Sequence, residues 1–300
     1  MAVYSALHHF RPQFRLYESL FYGLVLSMLL LLVMYLQHQS PVSYVHLISE
    51  DRFGEYLTSV AFAVASLAFL SAGFGSERLA RWFLFLIAFL SFGVAGEEIS
   101  WGQRIFRLDT PEVLQSVNWQ GEITLHNIGP LQQAGFHEIS GILLQVLILA
   151  SALKGRLPRN IAWIDDLPLP SLQLWPIAII VSFLLITQPM VKGDEISEAF
   201  LALFFLIWAL EVAYETGSLK RFEHHRMIVL ALALVCITGS AALLSSVFGG
   251  DMGWRYNITA IRDYPNAQMM EQSRILFNHM INNPELIQED TMAQYYRLHH

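Results

Sequence analysis

The chain has little charge and almost no cysteine. Asp, Glu, Lys and Arg make up 14% of its 300 residues, whereas hydrophobic residues make up 54%. An ordinary soluble domain carries about 25% charged residues, so this composition excludes that class. The single cysteine, Cys236, excludes a disulfide framework within the chain. Internal repeats, low-complexity tracts and Gly/Ser linkers are also missing, which favours one membrane domain followed by a tail.

Seven apolar segments predict an all-α polytopic membrane protein. A helix needs roughly 20 apolar residues to cross a hydrocarbon core of about 30 Å. Four segments have about this length, and three are shorter or interrupted by polar residues. In chain order, the predicted spans are 19–37, 56–74, 82–96, 139–153, 172–191, 196–214 and 227–248. The transmembrane helical domain is therefore predicted over residues 1–248.

The distribution of Lys and Arg among the loops predicts the orientation. Cytoplasmic loops close to the ends of spans carry an excess of these residues. Ten of them precede span one or lie in the loops after spans two, four and six, whereas the opposite loops hold four. The N-terminus is therefore predicted inside and the C-terminus outside. The expected location is the plasma or inner membrane.

Acidic residues concentrate on the predicted outer side of the membrane. Glu50, Glu97, Glu98 and Asp194 are among them, and the formal net charge of the chain is −7. A protein that binds nucleic acid needs a basic surface. Nucleic acid is therefore excluded as a partner, and membrane lipid is the expected one.

The outer-side tail, residues 249–300, is predicted to contain a short amphipathic helix. Pro265 and Asn266 can begin a helix, and apolar residues then recur at helical spacing up to Ile281. We expect this helix to pack on the outer surface, and no predicted span depends on it.

Ionisable residues are predicted to meet at the outer ends of three spans. At 1.5 Å per residue, Glu97 and Glu98 lie roughly 24 to 26 Å above the inner boundary at Arg81. Counting back from the inner end of span four, His137 and Glu138 reach a similar height. Glu198 lies just inside the outer end of span six. Three helices thus bring carboxylates or imidazole to one level.

A connection of about forty residues joins spans three and four, and a loop of that length is either functional or disordered. It contains NWQGEITLHNIGP, whose apolar residues argue against disorder. We predict a re-entrant or interfacial segment, covered by protein or lining a wet cavity. Glu122 and His126 are four residues apart, so they share a face if this segment is helical.

These residue types together suit a divalent cation. Carboxylate oxygens and neutral imidazole nitrogens bind such an ion, whose charge offsets the repulsion among carboxylates near lipid. The predicted metal ligands are Glu97, Glu98, Glu122, His126, His137 and Glu138. The first three, Glu97, Glu98 and Glu122, are also the predicted catalytic residues. Zinc is favoured over iron because the Glu-x-x-His pairs of di-iron proteins are absent.

A structural interpretation stands beside the metal hypothesis. Acids in the first turn of a span complement the helix dipole, and this explains Glu138, Asp194, Glu195 and Glu198. Glu97 and Glu98 can pair with an arginine of the following loop.

Two functional classes remain open from the sequence. One is a metal-dependent enzyme, such as a hydrolase, that acts on a lipid or amphiphilic substrate with a metal-activated water. The other is a non-catalytic subunit or scaffold that docks a protein partner in a membrane complex. A transporter fits less well, because the ionisable residues of transporters lie near the membrane midplane and the midplane here is apolar.

Overall fold

The computed structural model describes residues 16–48, 52–115, 118, 123–125, 128, 136–156, 161–190, 193–216, 219, 225–249, 274–276, 278, 279 and 282. The longer helices in these ranges are α1 (Leu16–Gln39), α2 (Pro41–Ile48), α3 (Phe53–Phe74), α4 (Arg78–Glu98), α5 (Phe136–Leu153), α6 (Trp175–Thr187), α7 (Gly193–Glu215) and α8 (Arg226–Phe248). Short helical turns are Ser100–Gly102, Gln103–Phe106, Glu112–Gln115, Ala162–Asp166 and Leu172–Leu174. Apart from one β-bridge between Asn118 and Ile128, the described part of the chain has no strand pairing.

Five helical segments are long and apolar enough to cross a membrane. They are Tyr17–Gln39, Pro41–Phe74, Arg78–Glu98, Gly193–Glu215 and Arg226–Phe248. The predicted spans 139–153 and 172–191 coincide with α5 and α6, which are apolar but shorter. The described residues are almost all helical, and these apolar helices are consistent with the predicted all-α membrane protein. The count of seven spans and their orientation stay predictions.

The sequence analysis did not predict the short helix α2. Proline suits the first position of a helix, because its φ is already helical and that position needs no hydrogen-bond donor. Pro41 occupies this position, and the helix buries Tyr44, Val45 and Ile48. The second candidate span, Pro41–Phe74, includes α2 as well as α3.

The core of the bundle lies between α3 and α7. In α7, 78% of the most apolar 18-residue window is buried, whereas the figure for α8 is 17%. Aromatic rings join the two core helices: the ring centroids of Phe69 and Trp208 are 5.0 Å apart, and those of Phe62 and Phe205 are 5.5 Å apart. The apolar side chains that α8 leaves exposed are those expected of a helix that faces lipid.

Small residues hold α3 and α4 close together. Ser59 Oγ donates a hydrogen bond to Ala95 O at 2.8 Å, and Ser66 Oγ donates to Ala88 O at 2.7 Å. A Cβ atom on Gly73 would lie 2.5 Å from the ring of Phe85, so this close approach requires glycine. Such contacts are typical of membrane helix pairs. They fix the end of α4, where Glu97 and Glu98 lie, against α3.

Polar contacts also fix the position of α5. Ser182 Oγ on α6 donates to Gly141 O at 3.0 Å, and Gln145 Nε2 donates to Ser182 Oγ at 2.8 Å. Both residues bonded to Ser182 belong to α5, so α6 determines where the first turn of α5 places His137.

Most of the predicted tail helix lies outside the described residues. Residues 274–276, 278, 279 and 282 are helical, and Leu276 is buried. The prediction of an amphipathic helix on the outer surface therefore stays a prediction.

Candidate carboxylate–histidine site

The chain reverses direction directly after α4. Ser100, Trp101 and Gly102 have positive φ values of 48°, 53° and 76°. This left-handed conformation is unfavourable for residues with a side chain, so neighbouring contacts must stabilise it. A Cβ atom on Gly96 would lie 2.8 Å from the Trp101 ring. Only glycine at position 96 lets the ring rest on the last turn of α4.

Glu97 ties this turn and the following loop to α4. Trp101 Nε1 donates to Glu97 Oε1 at 2.6 Å, and the Leu125 amide donates to Glu97 Oε2 at 2.6 Å. Each carboxylate oxygen therefore accepts a hydrogen bond that holds a different part of the chain. Glu97 has a clear structural role at the end of α4.

Further hydrogen bonds join parts of the long connection to one another. Gln103 Oε1 accepts from the Ile123 amide at 2.8 Å, while Gln103 Nε2 donates to Thr110 Oγ1 at 2.7 Å. Asn118 Nδ2 donates to the carbonyl and hydroxyl oxygens of Thr124 at 2.9 and 3.0 Å. Asn118, Thr110 and Thr124 are buried. The described parts of the connection thus form a cap over the end of α4.

A second set of ionisable groups lies where α4, α5 and α7 meet. His137 Nε2 and Glu198 Oε1 are 2.8 Å apart, and each side chain is 30% exposed. Glu98 is partly buried and lies close enough to Glu198 and Asp194 for their charges to interact. Glu198 is therefore the common neighbour of Glu98 and His137. We call Glu98, His137, Asp194 and Glu198 the outer-end site.

Asp194 adds an acceptor to the outer-end site. Its Oδ1 is buried and has no hydrogen-bond partner among the described residues. A buried polar atom without a partner is costly, and such atoms in folded proteins call for an explanation. The donor for Asp194 Oδ1 must therefore come from outside the described residues or from a bound molecule.

The structure separates the predicted site residues into three groups. Glu98 and His137 lie in the outer-end site, whereas Glu97 binds the cap through hydrogen bonds from Trp101 and Leu125. Glu138 is exposed in the first turn of α5, on a different face from its partly buried neighbour His137. Glu122 and His126 lie outside the described residues.

Sequence reasoning left two residues out of the site. Asp194 and Glu198 were attributed to the helix dipole, because both lie in the first turns of α7. The signal that could have found Glu198 was its height, which matched that of Glu98 and His137. For Asp194 the sequence carried no signal beyond its position in the first turn.

The predicted six-ligand metal site is only partly within the described residues. In the ranges that the structure describes, no group of three or more His, Cys, Asp or Glu side chains could hold a metal ion. Two of the six predicted ligands, Glu122 and His126, lie outside those ranges. The metal site therefore stays a prediction.

Comparison of the chain with protein families, with curated protein sequences and with solved structures finds no match. The function must therefore be argued from the outer-end site itself.

Proposed function

We propose that the protein is an integral membrane enzyme that uses the outer-end site for acid–base chemistry on a lipid or other amphiphilic substrate. One observation carries this proposal. His137 on α5 and Glu198 on α7 form a 2.8 Å contact beside two further carboxyl groups, Glu98 and Asp194. An imidazole oriented by a carboxylate is a recurrent arrangement for a general base.

Each residue of the outer-end site has a distinct role in the proposal. Glu198 holds one ring nitrogen of His137, so the other nitrogen, Nδ1, exchanges the proton. For a hydrolysis, His137 takes a proton from water, and the resulting hydroxide attacks the ester or phosphoester centre. Glu98, which lies close enough to Glu198 and Asp194 for their charges to interact, gives a proton to the leaving oxygen. Asp194 accepts a hydrogen bond from the substrate.

The position of the site on the helices supports an amphiphilic substrate. Glu98 is the last residue of α4, 17 residues after Arg81, which corresponds to about 25 Å of helix. This height matches the polar edge of a bilayer core of about 30 Å. A lipid could reach the site with its headgroup while its chains remain in the membrane.

A divalent metal ion belongs to the proposal as an addition to the site. Glu98 and His137 would supply a carboxylate and an imidazole ligand, and Glu122 and His126 are the further predicted ligands. Such an ion lowers the pKa of a bound water and so helps to form the hydroxide. The proton transfers at His137 and Glu98 do not require it.

The test is a comparison of lipid composition before and after incubation with the enzyme. The purified protein is reconstituted into vesicles of a total lipid extract, and the lipids are followed by mass spectrometry. We expect one lipid class to be converted by the wild type and not by His137→Ala or Glu98→Gln. Metal analysis of the same preparations shows whether zinc is bound and whether these variants lose it.

Two matched control variants are available. Glu77 is exposed beside the first residue of α4, at the opposite end from Glu98, and His225 is exposed beside the first residue of α8. Glu77→Gln and His225→Ala should keep the conversion. The enzyme proposal fails if no lipid class changes, or if the controls and the site variants lose the conversion equally.

The non-catalytic scaffold is the second candidate function. The hydrogen bonds of Glu97 to Trp101 and Leu125 favour it, because they show that at least one predicted catalytic residue stabilises the fold. A scaffold would tolerate His137→Ala without loss of assembly. An enzyme would assemble equally well but lose its turnover.

A further inference from the structure

Three hydrogen bonds join α5 to α6 about one helical turn from His137. Ser182 Oγ on α6 donates to Gly141 O at 3.0 Å. Gln145 Nε2 donates to Ser182 Oγ at 2.8 Å and to Ala178 O at 3.1 Å. Gly141 follows His137 by four residues, which is about one turn of helix. We call Gly141, Gln145 and Ser182 the α5–α6 clamp.

The shape of the clamp leaves no room for a side chain at position 141. A Cβ atom on Gly141 would lie 3.0 Å from Cγ1 of Ile186 and 3.4 Å from the carbonyl oxygen of Ser182. Contacts this short require the neighbour to move by a few tenths of an ångström. Gly141 and Ser182 are both buried. The glycine therefore sets how closely α5 approaches α6, as small residues commonly do in membrane helix pairs.

The helix α6 connects the clamp to Glu198. Among the described residues, the most extensive packing of α5 is against α6, and α6 packs in turn against α7. Glu198 lies on α7 and His137 on α5, and their side chains are 2.8 Å apart. The relative position of these two side chains therefore depends on how α5 sits on α6.

We propose that the α5–α6 clamp holds His137 against Glu198, so that Gly141, Gln145 and Ser182 are positioning residues of the outer-end site. Hydrogen bonds in proteins span roughly 2.7 to 3.2 Å, so a displacement of about 1 Å breaks the contact. The inference deepens the proposed function and rests on it for any effect on turnover.

The clamp acts on the backbone that carries His137. In an α-helix the amide of residue 141 bonds to the carbonyl of residue 137. The turn held by Ser182 is thus the turn that begins at His137. A clamp that only made the two helices adhere would stabilise the bundle, and its loss would leave the contact between His137 and Glu198 unchanged.

The experiment measures the pKa of His137 in the purified full-length protein. Histidine labelled with ¹³C is followed by NMR during a pH titration, and the His137 signal is assigned by its absence in His137→Ala. His137 precedes the predicted span 139–153, and its hydrogen bond with Glu198 raises its pKa. We expect Gly141→Ala and Ser182→Ala to lower this pKa toward the ordinary value of about 6.5, because the contact with Glu198 lengthens.

Two further variants serve as rescue and control. Ile186→Ala removes the side chain that Gly141→Ala would meet, so the double variant should regain the wild-type pKa of His137. Ser66→Ala removes the same kind of bond between α3 and α4 and should leave that pKa unchanged. The proposal is overturned if Ser182→Ala lowers stability without changing the pKa, or if Ser66→Ala lowers the pKa equally. If Gly141→Ala does not fold, Ser182→Ala decides.

Lipid conversion separates this proposal from the enzyme proposal. The clamp variants should lower kcat by about tenfold with little change in KM, because a 1 Å misplacement of a reacting group can cost about 10²-fold. A lower His137 pKa in these variants, in a protein that converts no lipid, supports the positioning role and refutes the enzyme. An unchanged pKa in a protein that does convert lipid refutes the positioning role alone.

Discussion

The two ends of α7 carry ionisable groups of different chemistry. Glu198, near the start of the helix, contacts His137, whereas Glu211, near its end, shares a cleft with Arg226. Histidine gains and loses a proton near neutral pH, but arginine stays charged throughout. The outer end thus has a group that can exchange a proton near neutral pH, and the inner end has a group whose charge is fixed. The two ends of one helix therefore offer different chemistry.

An apolar segment separates the two ends. Glu198 and Glu211 are thirteen residues apart, which corresponds to about 20 Å of helix. Between them, Phe204, Phe205 and Trp208 pack into the core with α3. Sites more than about 10 Å apart that share no partners usually respond to substitutions independently. We therefore expect changes at one end to leave the other end intact.

The largest effect should come from His137→Ala. Loss of a general base lowers turnover by about 10² to 10⁴-fold. If the two ends are independent, the stability cost of Arg226→Ala at the inner end is the same with and without His137→Ala. Turnover and denaturant unfolding of the single and double variants check both expectations. A different cost in the His137→Ala background would show that α7 couples its two ends.

The next largest effect should come from Arg226→Ala at the inner end. Glu18 is buried and contacts Arg226, so removal of the arginine leaves a buried carboxylate without this partner. Breaking a buried ion pair in this way costs about 3 kcal/mol or more in the free energy of unfolding. Denaturant unfolding measures the loss. The double variant Arg226→Ala with Glu18→Gln should recover most of it, and a double variant as unstable as the single one would contradict the explanation.

Glu97 and Glu98 should respond differently to the same substitution. Glu97→Gln replaces one of two acceptor oxygens by an amide group, which cannot accept from Trp101 or Leu125. The lost hydrogen bond to a charged group costs about 1.5–3 kcal/mol of stability. Glu98→Gln should change stability much less and abolish turnover instead. Equal losses of stability in the two variants would remove the distinction between cap and site.

Much of the fold could be predicted from apolar run lengths. Each of the seven predicted spans coincides with a helix, because roughly 20 residues of helix must be apolar to cross the membrane. The short helix α2 could not be found in this way. It has eight residues, and it is defined by the burial of Tyr44, Val45 and Ile48 rather than by a long apolar run.

The sequence could predict how far along their helices the site residues lie, but not which way their side chains point. Counting 1.5 Å per residue brought Glu98, His137 and Glu198 to one level, and the structure places Glu198 beside the other two. Neighbouring residues on a helix point about 100° apart, so only one of Glu97 and Glu98 can face α7. Which one does so depends on how α4 packs against α3 through Ser59 and Ser66, which apolar run lengths do not predict.

The smallest effects should separate Ser59 from Ser66, which make the same kind of bond between α3 and α4. Each hydroxyl donates to a carbonyl of α4, and interhelical hydrogen bonds in membrane proteins are worth about 0.6 kcal/mol on average. Ser59→Ala and Ser66→Ala should therefore lower stability by a similar small amount. Their effects on turnover should differ, because Ser59 contacts Ala95, three residues before Glu98, whereas Ser66 contacts Ala88. A small displacement of the last turn of α4 moves Glu98, and misplacement of a reacting group is costly to the rate. We expect a several-fold loss of turnover in Ser59→Ala alone. Equal turnover in the two variants would show that the end of α4 is positioned by the cap around Glu97 and not by its contact with α3.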